Sequence, residues 1–117
     1  MTSVILDTNA LIMPFQFSIN LDFELERIIS DPVVYVPSSV INELKKLERK
    51  EALNLAQKYK IIDVKKRGDK GVLEALEKMD GVLVTNDREL KKEASNKGHP
   101  VAFLRGKSHL ELLGESF

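Results

Sequence analysis

The sequence predicts an α/β fold: a three-layer α/β/α domain on a five-stranded parallel sheet of order 3-2-1-4-5. Three observations carry that expectation. Short apolar runs alternate along the chain with stretches of helical periodicity, the pattern of repeated βαβ units. Two of the runs, Val4-Ile5-Leu6 and Val82-Leu83-Val84, contain no polar residue, as suits central strands covered on both faces. Right-handed crossovers leave few topologies, and the one that seats these two runs as neighbours is 3-2-1-4-5.

The elements follow in order. The first strand covers Ser3 to Leu6 and ends on Asp7-Thr8-Asn9. Residues 9–14 predict one short helical turn stopped by Pro14, and residues 15–20 an irregular apolar loop or contact patch. Leu21, Leu25, Ile28 and Ile29 recur at helical spacing until Asp31-Pro32. Val33 to Val36 is β-branched and reads as the second strand. Ser38 or Ser39 then caps a helix over 39–48 with Val40, Leu44 and Leu47 inward, and a further helix spans 52–59. Ile61 to Val64 is the third strand, and Asp63 marks it as an edge. A helix runs from Gly68-Asp69 to Met79, and Asp80-Gly81 makes a turn. Val82 to Thr85 is the fourth strand, Asn86 and Glu89 form a capping box for a helix over 87–97, and Val101 to Leu104 is the fifth strand. The tail from Arg105 carries Leu110, Leu112 and Leu113, which dock on the domain or on a second subunit.

Composition narrows the function classes. At 117 residues, 43% hydrophobic and 31% charged, the chain reads as one globular domain (1–117) rather than a disordered one. Without cysteine, thiol catalysis and Cys-ligated zinc are excluded, and with two histidines no His-rich metal site is expected. No apolar run approaches the roughly 18 residues of a membrane span, and the first strand starts too early for a signal peptide, so a cytoplasmic location is expected. Lys and Arg balance Asp and Glu at 18 each, so total charge decides nothing and its distribution matters instead.

That distribution is uneven at one edge of the sheet. In open α/β sheets ligands bind beyond the carboxyl ends of the strands, at the point where strand order reverses. Asp7 ends the first strand there, and Asp87 opens the helix after the fourth. Glu43 borders the inward stripe of its helix, three residues after Val40 and four before Leu47. Asp69 shares the stripe of Val72, Leu73 and Leu76 at the first turn of its own helix. Each acid has an ordinary role open to it: Asp7 as a helix cap, Glu43 as a border residue, Asp69 and Asp87 as complements to helix dipoles. Together, four uncompensated carboxylates in one crevice repel unless a cation sits among them. An all-oxygen set favours Mg²⁺ or Mn²⁺, as one ion or two, and suits phosphodiester hydrolysis. Thr8, Asn9, Thr85 and Asn86 stand where they can orient waters or ligands. Lys65, Lys66 and Arg67 after the third strand, with Arg105 and Lys107 after the fifth, form a basic rim for a polyanion such as RNA. Aromatic residues are 6%, so readout of bases by stacking is expected to be weak.

With Asp7-Thr8-Asn9, Asn42-Glu43-Leu44 and Thr85-Asn86-Asp87 in this order and spacing, the chain resembles the PIN-domain ribonuclease family over essentially its whole length. The resemblance implies a metal-dependent nuclease of single-stranded or structured RNA, with Asp7, Glu43 and Asp87 as metal ligands. Some members carry two adjacent aspartates where this chain has Asp69-Lys70. The compact chain and Arg105-Gly106-Lys107 look most like the archaeal and eukaryotic rRNA-processing branch, with a ribosomal protein as an expected partner. A toxin-type member of a toxin–antitoxin pair, and a catalytically weak RNA-binding or ribosome-assembly module, are the alternatives. Members commonly form homodimers. Competing folds fit less well: a receiver domain wants an aspartate ending strand 3, a dehalogenase-like phosphatase wants an acid at position 9, and a dinucleotide binder wants a glycine-rich first turn.

Overall fold

The computed structural model describes residues 1–114. Its six strands are β1 (Thr2–Leu6), β2 (Pro32–Pro37), β3 (Lys60–Ile62), β4 (Val82–Val84), β5 (Val101–Arg105) and β6 (His109–Leu113). The helices are α1 (Thr8–Phe17), α2 (Leu21–Ile28), α3 (Ser38–Lys46), α4 (Lys50–Ala56), α5 (Gly68–Met79) and α6 (Arg88–Asn96). They sandwich one mixed sheet of order β3-β2-β1-β4-β5-β6 in a three-layer α/β/α arrangement. The five expected strands stand in the expected order and are parallel. The correction is a sixth: residues 109–113 return antiparallel beside β5, pairing Leu104 with Leu110 and Val101 with Leu113. A tight turn at Gly106 and Lys107, both at positive φ, makes the hairpin.

The core follows from the two apolar runs. Val4, Ile5, Leu6, Val82, Leu83 and Val84 are all inaccessible to solvent, and β1 pairs with β4 through Val4–Val82 to Leu6–Val84. At about 25 cal/mol per Å², burying side chains of this size is worth roughly 1.5–3 kcal/mol each, an upper figure because unfolded chains already hide some surface. β3 is exposed, in keeping with its place at the sheet edge.

Several local expectations change. Pro14 lies inside α1 instead of ending it. A proline there costs about 3 kcal/mol of local helix free energy. Burial of Leu11 and Met13 in the core offsets it. Ser38 does not cap α3; its hydroxyl accepts from the Val64 amide at 3.0 Å and ties α3 to the segment after β3. Leu47 is 52% exposed, so the inward stripe of α3 ends at Leu44. Asn86 does not cap α6. Asp87 does, accepting from the Leu90 amide at 3.0 Å, while Asn86 Oδ1 accepts from the Leu104 amide at 2.8 Å.

Gly71 is required by close approach. A Cβ at Gly71 would stand 2.5 Å from the Lys66 carbonyl oxygen and 2.5 Å from the Ser39 hydroxyl oxygen. Its absence lets the first turn of α5, with Asp69, press against α3 and the loop before it.

Candidate active site

Asp7 is the last residue before α1, and it plays two parts. One carboxylate oxygen accepts from the Ala10 amide at 2.8 Å, capping the helix. The other accepts from the Thr85 hydroxyl, which in turn accepts from the Asp87 amide at 3.0 Å. Two strand ends are thus locked across the β1–β4 switch point. Asp7 is only 3% exposed, and Thr85 lies beneath it with no accessible surface.

Around Asp7 lies a cleft of about 450 Å³ lined by all four expected acids, Asp7, Glu43, Asp69 and Asp87. Each comes from a different element or strand end. Among the described residues, none of the four makes an ion pair within 4.0 Å. Their electrostatics are those of crowded acids. Burial pushes the Asp7 carboxyl up to about 7, against the pull of Thr85 and Ala10, and the charges of Asp69 and Asp87 raise it further. Asp69 is also raised, by burial first and then by Asp87, Glu43 and Glu93.

The donor set fits a hard divalent cation: four carboxylates, without sulfur or imidazole in the cleft lining. They are spaced around the cleft, and among the described residues no three His, Asp or Glu converge closely enough to enclose an ion.

The other expected residues divide. Thr8 and Asn9 line the cleft. Thr85 supports Asp7 from below, and Asn86 is spent on β5. Lys65, Lys66 and Arg67 line an adjoining groove, whereas Arg105 pairs with Glu111 at 2.9 Å in the β5–β6 hairpin. Lys107 occupies the turn of that hairpin.

Two residues escaped the sequence reading. Glu93 acts on Asp69, and it borders the inward stripe of α6 between Leu90 and Ala94 just as Glu43 borders that of α3, so the same phase argument finds it. Arg49 lines the cleft from the turn after α3, where Glu48 adopts φ +56°. Nothing in the local sequence signals that placement.

A family described as "PIN like domain" matches residues 4–107. The chain belongs to that PIN-like family. Among its relatives is Ribonuclease VapC4 of Methanocaldococcus jannaschii, 32% identical over 97% of this chain and 98% of that one. Ribonuclease VapC9 of Archaeoglobus fulgidus is 38% identical over 60% of this chain and 59% of that one. The structure of the PIN domain endonuclease Utp24 superposes with a TM-score of 0.83 at 21% identity, over 97% of this chain and 92% of that one. A domain of a functionally unknown protein from M. jannaschii superposes at 0.65 and 16% identity. These two structural likenesses bear on the PIN fold alone.

Proposed function

We propose that this PIN-like protein is a divalent-metal-dependent endoribonuclease, with Asp7, Glu43, Asp69 and Asp87 holding Mg²⁺ or Mn²⁺. The observation that carries the reading is the meeting of these four unpaired acids in one cleft around a buried Asp7. The full-length relative named as a ribonuclease supports the reaction class. A metal bound there polarises the phosphoryl oxygen and lowers the pKa of a bound water.

The chain's own residues do the rest. Thr85 and the Ala10 amide fix the Asp7 carboxylate so that its remaining lone pairs face the cleft. Capping by Asp87 anchors its carboxylate in the same way. Among the described residues Arg49 is the one cation lining the cleft, and it faces the negative charge of the scissile phosphate. Lys65, Lys66 and Arg67 hold the flanking phosphates on the β3 side of the cleft.

The test is cleavage of single-stranded RNA with and without Mn²⁺. Asp7→Asn should lower the Mn²⁺-stimulated rate by at least about a hundredfold, a loss of roughly 2.7 kcal/mol of transition-state stabilisation. Full activity in that variant overturns the mechanism. RNA binding without turnover in the unmodified protein would favour the binding or ribosome-assembly module instead.

rRNA processing is the proposed role, supported by the compact chain and Arg105-Gly106-Lys107. It places the protein in the cytoplasm, as a homodimer with a ribosomal protein partner. A toxin of a toxin–antitoxin pair is the competing role. Growth arrest on expression, relieved by a co-expressed neighbouring protein, would favour it. Among the described residues no helix is long and apolar enough to cross a membrane.

A further inference from the structure

Beside the acid cleft runs a second groove, about 620 Å³, between α3 and the loop joining β3 to α5. Lys45 and Lys46 line it from the helix, and Lys65, Lys66 and Arg67 from the loop. It shares Ser39, Glu43 and Gly68 with the acid cleft, so the two are continuous. Among the described residues none of these five cations has an acidic partner within 4.0 Å. The hairpin across the site differs. Arg105 is bound to Glu111 and lies over the Phe103 ring at 5.3 Å, so its charge is partly spent.

The loop's backbone is also held. Glu74 Oε1 accepts from the Lys65 amide at 3.0 Å and the Lys66 amide at 2.9 Å, and Oε2 accepts from Lys65 at 3.1 Å. An acid placed among lysines would lower the groove's affinity for a polyanion by charge alone. Here its oxygens accept from the loop amides, and Oε2 also lies 3.7 Å from the Lys78 ammonium outside the groove, which fixes the loop while the Lys65 and Lys66 side chains stay exposed.

We propose that the sugar–phosphate backbone of a single-stranded RNA leaves the acid cleft on one side only, along the groove of Lys45, Lys46, Lys65, Lys66 and Arg67, and that Glu74 is the residue that positions the loop half of that track. The proposal rests on the ribonuclease reading for what happens in the cleft, but its test does not. Binding is measured without metal, in EDTA, so loss of cleavage and loss of this track are separate results.

The probe is a fluorescein-labelled twelve-residue oligouridylate, titrated by anisotropy across a range of KCl concentrations. Lys45→Gln/Lys46→Gln and Lys65→Gln/Arg67→Gln should each weaken binding roughly tenfold and flatten the log–log salt slope by about 1.4, or ~0.7 per lost phosphate contact. Arg105→Gln/Lys107→Gln should change affinity less than about twofold. The sign of the Glu74 effect is decisive. Glu74→Gln keeps an acceptor and loses the charge, so affinity should hold or rise. Glu74→Ala loses the same charge together with the acceptors, and affinity should fall, with the melting temperature recorded for both variants. Equal tightening in both Glu74 variants would overturn the positioning role. A hairpin variant that costs more affinity than either groove variant would overturn the one-sided track. Displacement of the probe by a polyglutamate peptide of equal charge more readily than by unlabelled RNA would assign the groove to an acidic protein and overturn the proposal.

Discussion

Two buried carboxylates in this molecule behave in opposite ways. Asp7, at the carboxyl edge of the sheet, is 3% exposed and pushed up to about 7. Glu24, on α2, is 8% exposed and held below the usual carboxylate range. Both accept hydrogen bonds, and the balance of those bonds against burial separates them: burial is the largest effect on Asp7, the bond from the Leu110 amide the largest on Glu24, and the neighbouring charges add to each. Glu24 accepts from the Leu110 amide at 2.8 Å and from Arg27 at 3.0 Å, and Arg27 also donates to the Leu110 carbonyl at 2.6 Å. Together they satisfy one residue's donor and acceptor on the outer side of β6, as a seventh strand would. Asp7 has a hydroxyl and an amide, and its charged neighbours are acids. Glu24 stabilises the fold where it sits. Asp7 is held above the usual carboxylate range, so ionising it costs the fold free energy.

The comparison is open to direct attack, and its largest expected effect is on β6. Glu24→Ala leaves the Leu110 amide without its acceptor and Arg27 without its counter-ion, and should cost roughly 1–3 kcal/mol in a denaturant titration. RNA cleavage by the folded fraction should be unchanged. A neutral result on stability would mean that β6 holds its place by the hairpin alone. Next in size, metal-free Asp7→Asn should be more stable than the unmodified protein at pH 8 by about 1–2 kcal/mol, since a carboxyl raised to about 7 is charged there against its environment. A marked loss of stability would place the cap and the Thr85 bond above the charge.

Acidity sharpens the contrast, because the two groups have opposite signs of linkage. With its folded value above 3.8, Asp7 favours the fold most below that unfolded value, and the benefit is lost as pH rises from about 4 through about 7. With its folded value depressed, Glu24 stabilises above its unfolded value of 4.5, and that is lost as pH falls toward and through the folded value. Metal-free stability plotted against pH should therefore flatten between pH 4 and pH 7 in Asp7→Asn, and flatten below about pH 4.5 in Glu24→Ala. The reverse assignment would refute the electrostatic account of both. The smallest effect belongs to the exposed Arg105–Glu111 pair, where Arg105→Ala should change stability by no more than about 1 kcal/mol in the same titration.

How much of this was written in the sequence depends on the range of the interaction concerned. Unbroken apolar runs at Val4–Leu6 and Val82–Val84 sufficed to place the central pair, since strands buried on both faces leave no other seats, and right-handed crossovers supplied the order of the remaining three parallel strands. Helical phase placed Glu43 and Asp69 on the cleft, whereas Glu93, which reads from the sequence as an outer-face acid, lies near enough to raise Asp69. The strand count failed at β6, because a five-residue strand with Glu111 among its leucines has no run long enough to signal itself, and only the waiting edge of β5 gives it form. Glu24 resembled any exposed helix acid, being bound to a residue 86 positions away. Arg49 and Glu74 were illegible because their roles depend on loop conformation, the turn after α3 for one and the loop before α5 for the other, which no periodicity reports. Asp7 was visible from the outset as an acid ending a buried strand. Tertiary structure alone decided that Thr85 grips it, that Asp87 caps its own helix, and that burial holds the Asp7 carboxyl above the usual range. Periodicity reports which side of an element faces the core, whereas the environment of a charge depends on which distant groups the fold brings beside it.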